Sequence, residues 1–226
     1  MIPIRDNIPS RRFPVVNYIL IGVNIVAFLY ELTLGAGLQG FLNNMGFVPE
    51  RFFDLLSSPL VNLIPIVIPL IASIFLHGSI SHIFMNMLFL SIFGDNVEDA
   101  LGHFGYLIFY LVGGISASIF HALIHPYSTL PTIGASGAVS AVMGAYLMLY
   151  PKARILTVFP IFFYPVMFHI PALFYLVFWF FLQMASGVLS LGATYYQRAG
   201  VAWWAHIGGF LFGVIVVMIM VSRRRR

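Results

Sequence analysis

Long apolar runs, each near the length needed to cross a bilayer, succeed one another from Val15 to Val221, and no other feature constrains the fold as strongly. A spanning helix takes about 20 residues. The runs fall at Val15–Leu34, Ile80–Val97, Phe104–Leu123, Gly134–Tyr150, within Phe159–Leu189, and at Val201–Val221. Only 8% of the residues are charged, against roughly 25% in a soluble domain. That is too little charge to cover a water-facing surface.

The expected fold is therefore all-α, a polytopic bundle of six transmembrane helices forming a single integral membrane domain over residues 1–226. Residues 1–14 are read as a cytoplasmic N-terminus, 15–222 as the six-helix core and 223–226 as a cytoplasmic basic tail. The segment from Gly35 to Ser79 carries Pro49, Pro59, Pro65 and Pro69, too many for a continuous span. It is expected to form short interfacial helices and a partly embedded loop. Asp95, Glu98 and Asp99 are read as a solvated helix end, with one structural hydrogen bond at Glu98. The first run ends without a small-residue cleavage site, so it is read as a retained span and not a signal peptide.

Charge supports this topology. With the N-terminus in the cytoplasm, Arg5, Arg11, Arg12, Lys152, Arg154 and Arg223 to Arg226 all fall inside, leaving only Arg51 and Arg198 outside, as the positive-inside rule requires. Basic residues in short clusters beside apolar runs act as topology signals and exclude nucleic acid as a partner. There is no cysteine, which excludes thiolate catalysis and disulfides. The short N-terminus, without an Arg-rich amphipathic presequence, points to a prokaryotic plasma membrane with both termini cytoplasmic.

Polar groups at membrane depth are costly and mark function. Four qualify: His82 and Asn86 in the second span, Ser136 in the fourth and His206 in the sixth. At about 1.5 Å per residue, His82, Ser136 and His206 each lie roughly 24–26 Å from the cytoplasmic end of their helices. They form one layer just below the outer surface. Asn86, four residues after His82, shares its helix face. A neutral histidine can take the serine proton, while Asn86, His82 and a main-chain N–H at the start of the fourth span could donate to an oxyanion. No carboxylate occurs in the outer half of these spans, so a serine hydrolase built here works with a dyad. Gly209 and Gly213, with the stripes Ser136/Ser140/Gly144 and Gly137/Ala141/Ala145, allow the fourth and sixth spans to approach closely. No His-Glu pair suits a zinc protease and no two intramembrane aspartates suit an aspartyl one, so neither metal nor cofactor is expected.

Taken together, Phe75-Leu76-His77-Gly78 with His82 and Asn86, Phe93-Gly94-Asp95-Asn96-Val97-Glu98-Asp99, Gly134-Ala135-Ser136-Gly137, Tyr150-Pro151-Lys152-Ala153-Arg154, and Ala205-His206-Ile207-Gly208-Gly209 with Gly213 resemble the rhomboid intramembrane serine proteases. The resemblance implies Ser136 as nucleophile, His206 as its base, and His82, Asn86 and the Ser136 main chain as the oxyanion hole. It implies single-pass transmembrane proteins as substrates, cleaved near the outer side of the bilayer. It also implies a mobile fifth span and a cap over Ser186–Gly200. Gly134, Ala135, Gly137, Ser140, Gly209 and Gly213 are then near-site residues, and His77 anchors the loop to the second span. The sequence departs from the family at Ser140, where well-known members place an aromatic ring against the catalytic histidine. The rival reading is a noncatalytic rhomboid-like protein that binds membrane clients, and it should lack the serine or the histidine.

Overall fold

The computed structural model describes residues 1–59, 62–161, 164–192 and 201–224. Nine helices occur among them. The expected spans appear as α1 (Val15–Thr33), α5 (Ile80–Leu101), α6 (His103–Ile124), α7 (Ser136–Leu149), α8 (Ala172–Leu191) and α9 (Trp203–Arg224). Five of these are long and apolar enough to cross a membrane. The sixth, α7, has only 14 residues and is the central strut. From Gly137 to Leu147 every residue is buried, because α5, α6 and α9 pack around it.

Between α1 and α5 lie three short helices, α2 (Leu38–Met45), α3 (Pro49–Leu56) and α4 (Ile64–Ala72), none long enough to span. Pro49 and Pro65 stand in the first turns of α3 and α4, where the absent N–H costs nothing. Phe47 pairs its main chain with Thr132, and Phe47, Ile66, Leu70 and Ala122 form a small separate core under this loop.

One region departs from the all-α expectation. The fifth span falls in the later part of the range Phe159–Leu189, and before it Arg154–Ile161 and Tyr164–Pro171 are strands β2 and β3 of an antiparallel pair. Strand β1 (Ile2–Arg5) pairs with β2 to complete a three-stranded sheet. The segment is apolar on both strand faces, so hydropathy alone does not separate it from a helix, while Pro160, Pro165 and Pro171 disfavour helix there. Helix α8 begins directly after Pro171 and runs through Leu191. Residues 186–191 of the expected cap are thus its last turns, and 193–200, including Arg198, lie outside the described residues, as do Arg225 and Arg226.

The sheet, the N-terminus and the α5–α6 turn share one end of the bundle. Arg154 donates its main-chain N–H to Asn7 at 2.6 Å, and the Arg11 and Arg12 N–H groups both bond Asp99. The acidic cluster is not simply solvated. Glu98 is 2% exposed and accepts from the N–H groups of Val16 at 3.0 Å and Asn17 at 2.7 Å. It caps the N-terminus of α1 from another helix, where two donors would otherwise be orphaned.

Candidate active site

Three helices meet at the opposite end. Helix α7 starts abruptly at Ser136 because Gly134 has φ +121°, a backbone that L side chains rarely adopt. The Gly134 N–H is held by Ser73 at 2.8 Å. The first helical bond of α7 runs from Val139 N–H to Ala135 C=O. The N–H groups of Ser136, Gly137 and Ala138 therefore precede the hydrogen-bonded ladder, at the positive end of the helix dipole. Ala135 is fully buried beneath them.

The α7–α9 contact is made backbone to backbone. A Cβ on Gly209 would lie 2.1 Å from Gly137 O, and one on Gly213 would lie 2.0 Å from Ala141 O. No side chain fits either position. This approach sets the turn carrying Ser136 against the turn carrying Ala205 and His206, and a Cβ on Gly137 would stand 3.9 Å from Ala205 O. His82 arrives from α5. A Cβ on Gly134 would meet His82 Nε2 at 2.6 Å and Ser136 Oγ at 3.6 Å, so both atoms flank the same glycine.

The His82 ring has a defined tautomer. Its Nδ1 lies 2.8 Å from His77 O, and a carbonyl only accepts, so Nδ1 carries the proton. Nε2 of the neutral ring then holds a lone pair, and His82 donates from Nε2 only as imidazolium. Asn86, one turn deeper, is 6% exposed, and its Nδ2 has no hydrogen-bond acceptor among the described residues. An unpaired buried donor costs about 1–3 kcal/mol. Of the two side chains expected in the oxyanion hole, Asn86 is the one whose donor stands unused.

The loop bearing His77 is held by a carboxylate that the sequence reading passed over. Glu31 of α1 is 1% exposed and accepts from His77 N–H at 2.9 Å and Gly78 N–H at 2.7 Å. The chain of bonds therefore runs from Glu31 through the His77 main chain to the His82 ring. Burial, with the neighbouring His82 ring adding to it, pushes the His77 imidazole down to about 4 and keeps it neutral. Asn17, Asn24 and Glu31 recur at seven-residue spacing and are all buried; that spacing marks one bundle-facing stripe.

His206 is held from α8. Its Nδ1 lies 2.8 Å from Gln183 Oε1, and Trp179 stacks on the ring with centroids 6.1 Å apart and planes at 30°. Ser140, which stands where the family it resembles places an aromatic ring, bonds the Ser136 carbonyl through its hydroxyl at 2.6 Å. Gln183 was missed as well. A hydrogen-bonding amide inside an apolar run was the available signal, obscured because the fifth span is bounded only to a range within Phe159–Leu189, which leaves the depth of Gln183 open.

The profile of the Rhomboid domain matches residues 66–223, more than half of the chain. The chain belongs to the rhomboid family. It is 30% identical over 159 residues to Rhomboid protein 1, mitochondrial, of Saccharomyces cerevisiae, covering 66% of this chain and 40% of that one. It is 32% identical over 154 residues to RHOMBOID-like protein 6, mitochondrial, of Arabidopsis thaliana, covering 68% and 44%. It is 28% identical over 150 residues to the human presenilin-associated rhomboid-like protein, mitochondrial, covering 65% and 36%. The match thus spans less than half the length of each of these relatives. The rhomboid match includes every residue of the site described above except Glu31 and its stripe partners Asn17 and Asn24.

Proposed function

We propose that this rhomboid-family protein is an intramembrane serine endopeptidase acting through Ser136 and His206 on transmembrane segments of single-pass membrane proteins. The observation that carries the reading is the meeting of the Ser136 turn of α7 with the His206 turn of α9 through glycine backbones, with His82 Nε2 at Gly134.

The chemistry follows from these atoms. Ser136 Oγ attacks the scissile carbonyl carbon while its proton passes to His206 Nε2, and the carbonyl π pair becomes an oxyanion. In this reading Asn86 Nδ2–H and the first-turn N–H groups of α7 donate to that charge, supported by the unpaired state of Asn86 Nδ2. The tetrahedral intermediate collapses as the C–N bond breaks and His206 gives its proton to the departing amine, leaving an ester on Ser136. Water, deprotonated by His206, attacks the ester carbonyl; the Ser136 Oγ–C bond then breaks, His206 returns the proton to Oγ, and the new C-terminal acid leaves. A substrate helix must unwind first, because its carbonyls are engaged in hydrogen bonds and sterically shielded.

The plasma-membrane expectation rested on the short N-terminus, and the mitochondrial names of the relatives pull against it. The reading carried forward is a multi-pass integral membrane protein of one domain, with the sheet end facing the positive-inside compartment.

A fluorophosphonate probe tests the proposal without knowledge of the natural substrate. Labelling of the liposome-reconstituted protein is expected, absent in Ser136→Ala and strongly slowed in His206→Ala. Cleavage of a model transmembrane substrate should be lost in both variants. A wild-type protein that neither labels nor cleaves is the noncatalytic client-binding alternative.

A further inference from the structure

Because Ser140 cannot support an imidazole, the restraint on His206 has to come from elsewhere: Trp203 of α9 meets the ring edge-on with centroids 6.0 Å apart, and two further groups reach it from α8. Gln183 is 7% exposed; the other buried residues of α8 are Ala172, Tyr175, Leu176 and Gly187. An amide buried among such neighbours is costly unless it is hydrogen-bonded, and its Oε1 lies 2.8 Å from His206 Nδ1. An amide oxygen only accepts, so this bond requires a proton on Nδ1 and leaves the Nε2 lone pair bare. Trp179 lies four residues earlier, on the same helix face, and its indole restrains the imidazole plane. One contact acts in the plane of the ring and the other on its face.

We propose that Gln183 is the positioning residue of His206, its amide oxygen holding the ring in the Nδ1–H tautomer while Trp179 fixes the ring plane, so that Nε2 is presented to α7. The consequence for rate rests on the protease reading above. A carboxylate in this place would stabilise the imidazolium, but at a large desolvation cost. The amide sets the tautomer without introducing a charge. An amide turned over, with its NH2 toward Nδ1, would impose the opposite tautomer, which makes the assignment directly measurable.

The test uses the full chain, labelled with nitrogen-15 at histidine and reconstituted in bicelles, with the His206 signals identified by their loss in His206→Ala. The wild-type ring is expected wholly as the Nδ1–H tautomer. Gln183→Met, close in volume and suited to an apolar helix, should yield mixed tautomers. It should also lower kcat by about 10- to 100-fold with KM unchanged. Gln183→Glu keeps an acceptor oxygen and should keep the proton on Nδ1, in the neutral ring or in the imidazolium that a carboxylate favours. A wild-type Nε2–H ring overturns the proposal, as does a Gln183→Met ring that stays wholly Nδ1–H; should Gln183→Met fail to fold, the wild-type and Gln183→Glu tautomers decide. Absence of probe labelling in the wild type overturns the protease reading instead, and the tautomer measurement still decides the role of Gln183.

Discussion

The two ends of this bundle treat buried polar atoms in opposite ways. At the sheet end, Glu98 takes up both first-turn donors of α1 and the His103 ring, while Asn17 bonds the Leu90 carbonyl at 3.1 Å and receives the Tyr106 hydroxyl at 2.8 Å. At the Ser136 end, His77 Nε2, Asn86 Nδ2, His121 Nδ1 and Trp204 Nε1 have no partner among the described residues. Elsewhere among the described residues Asn96 Oδ1, Asn24 Oδ1 and Tyr110 Oη are also unpaired, but the carboxylate network of the sheet end is complete. Burial without a partner costs free energy. Four of these seven atoms lie at the Ser136 end, and all four are on histidine, asparagine or tryptophan side chains able to meet an outside group.

This contrast can be broken from either side. Glu98→Ala should have the largest effect, about 2–6 kcal/mol of stability, because it strands two main-chain donors at about 1–3 kcal/mol each. Unfolding in mixed micelles would measure it, and the probe-labelling rate of the protein that remains folded should be unchanged. Asn86→Ala should act in the reverse sense, lowering kcat by about 10²–10³ without loss of stability. An unchanged rate would remove Asn86 from the oxyanion hole. The smallest effect expected is that of Tyr106→Phe, about 1 kcal/mol of stability from one buried hydrogen bond to Asn17, again with no change in labelling. If Tyr106→Phe altered the rate and Asn86→Ala only the stability, the division between the ends would be wrong.

Much of this architecture could be read from the residues. The spans at α1, α5, α6, α7 and α9 follow from runs of sufficient length with few charges, and the glycine faces of α7 and α9 from their four-residue spacing. The layer containing His82, Ser136 and His206 follows from rise per residue alone. What could not be read depended on tertiary partners or on a lost period. Glu98 resembles a solvated helix end until α1 is brought against it. Glu31 and Gln183 are single polar residues in apolar runs, and their value lies in which main chain or ring they reach. The β2–β3 pair escaped because neither strand face is polar, so the alternation that identifies a strand is absent.

The shortness of α7 has a further consequence. At about 1.5 Å per residue its 14 residues rise about 21 Å, while the hydrocarbon layer is about 30 Å thick. The middle post of the bundle therefore stops short of a full crossing, and Ser136 stands at its end, level with the first turns of α5 and α9 that carry His82 and His206. The depth at which a peptide bond would be met is thus written in the length of one helix, and Gly134, whose backbone ends it, acts as the gauge.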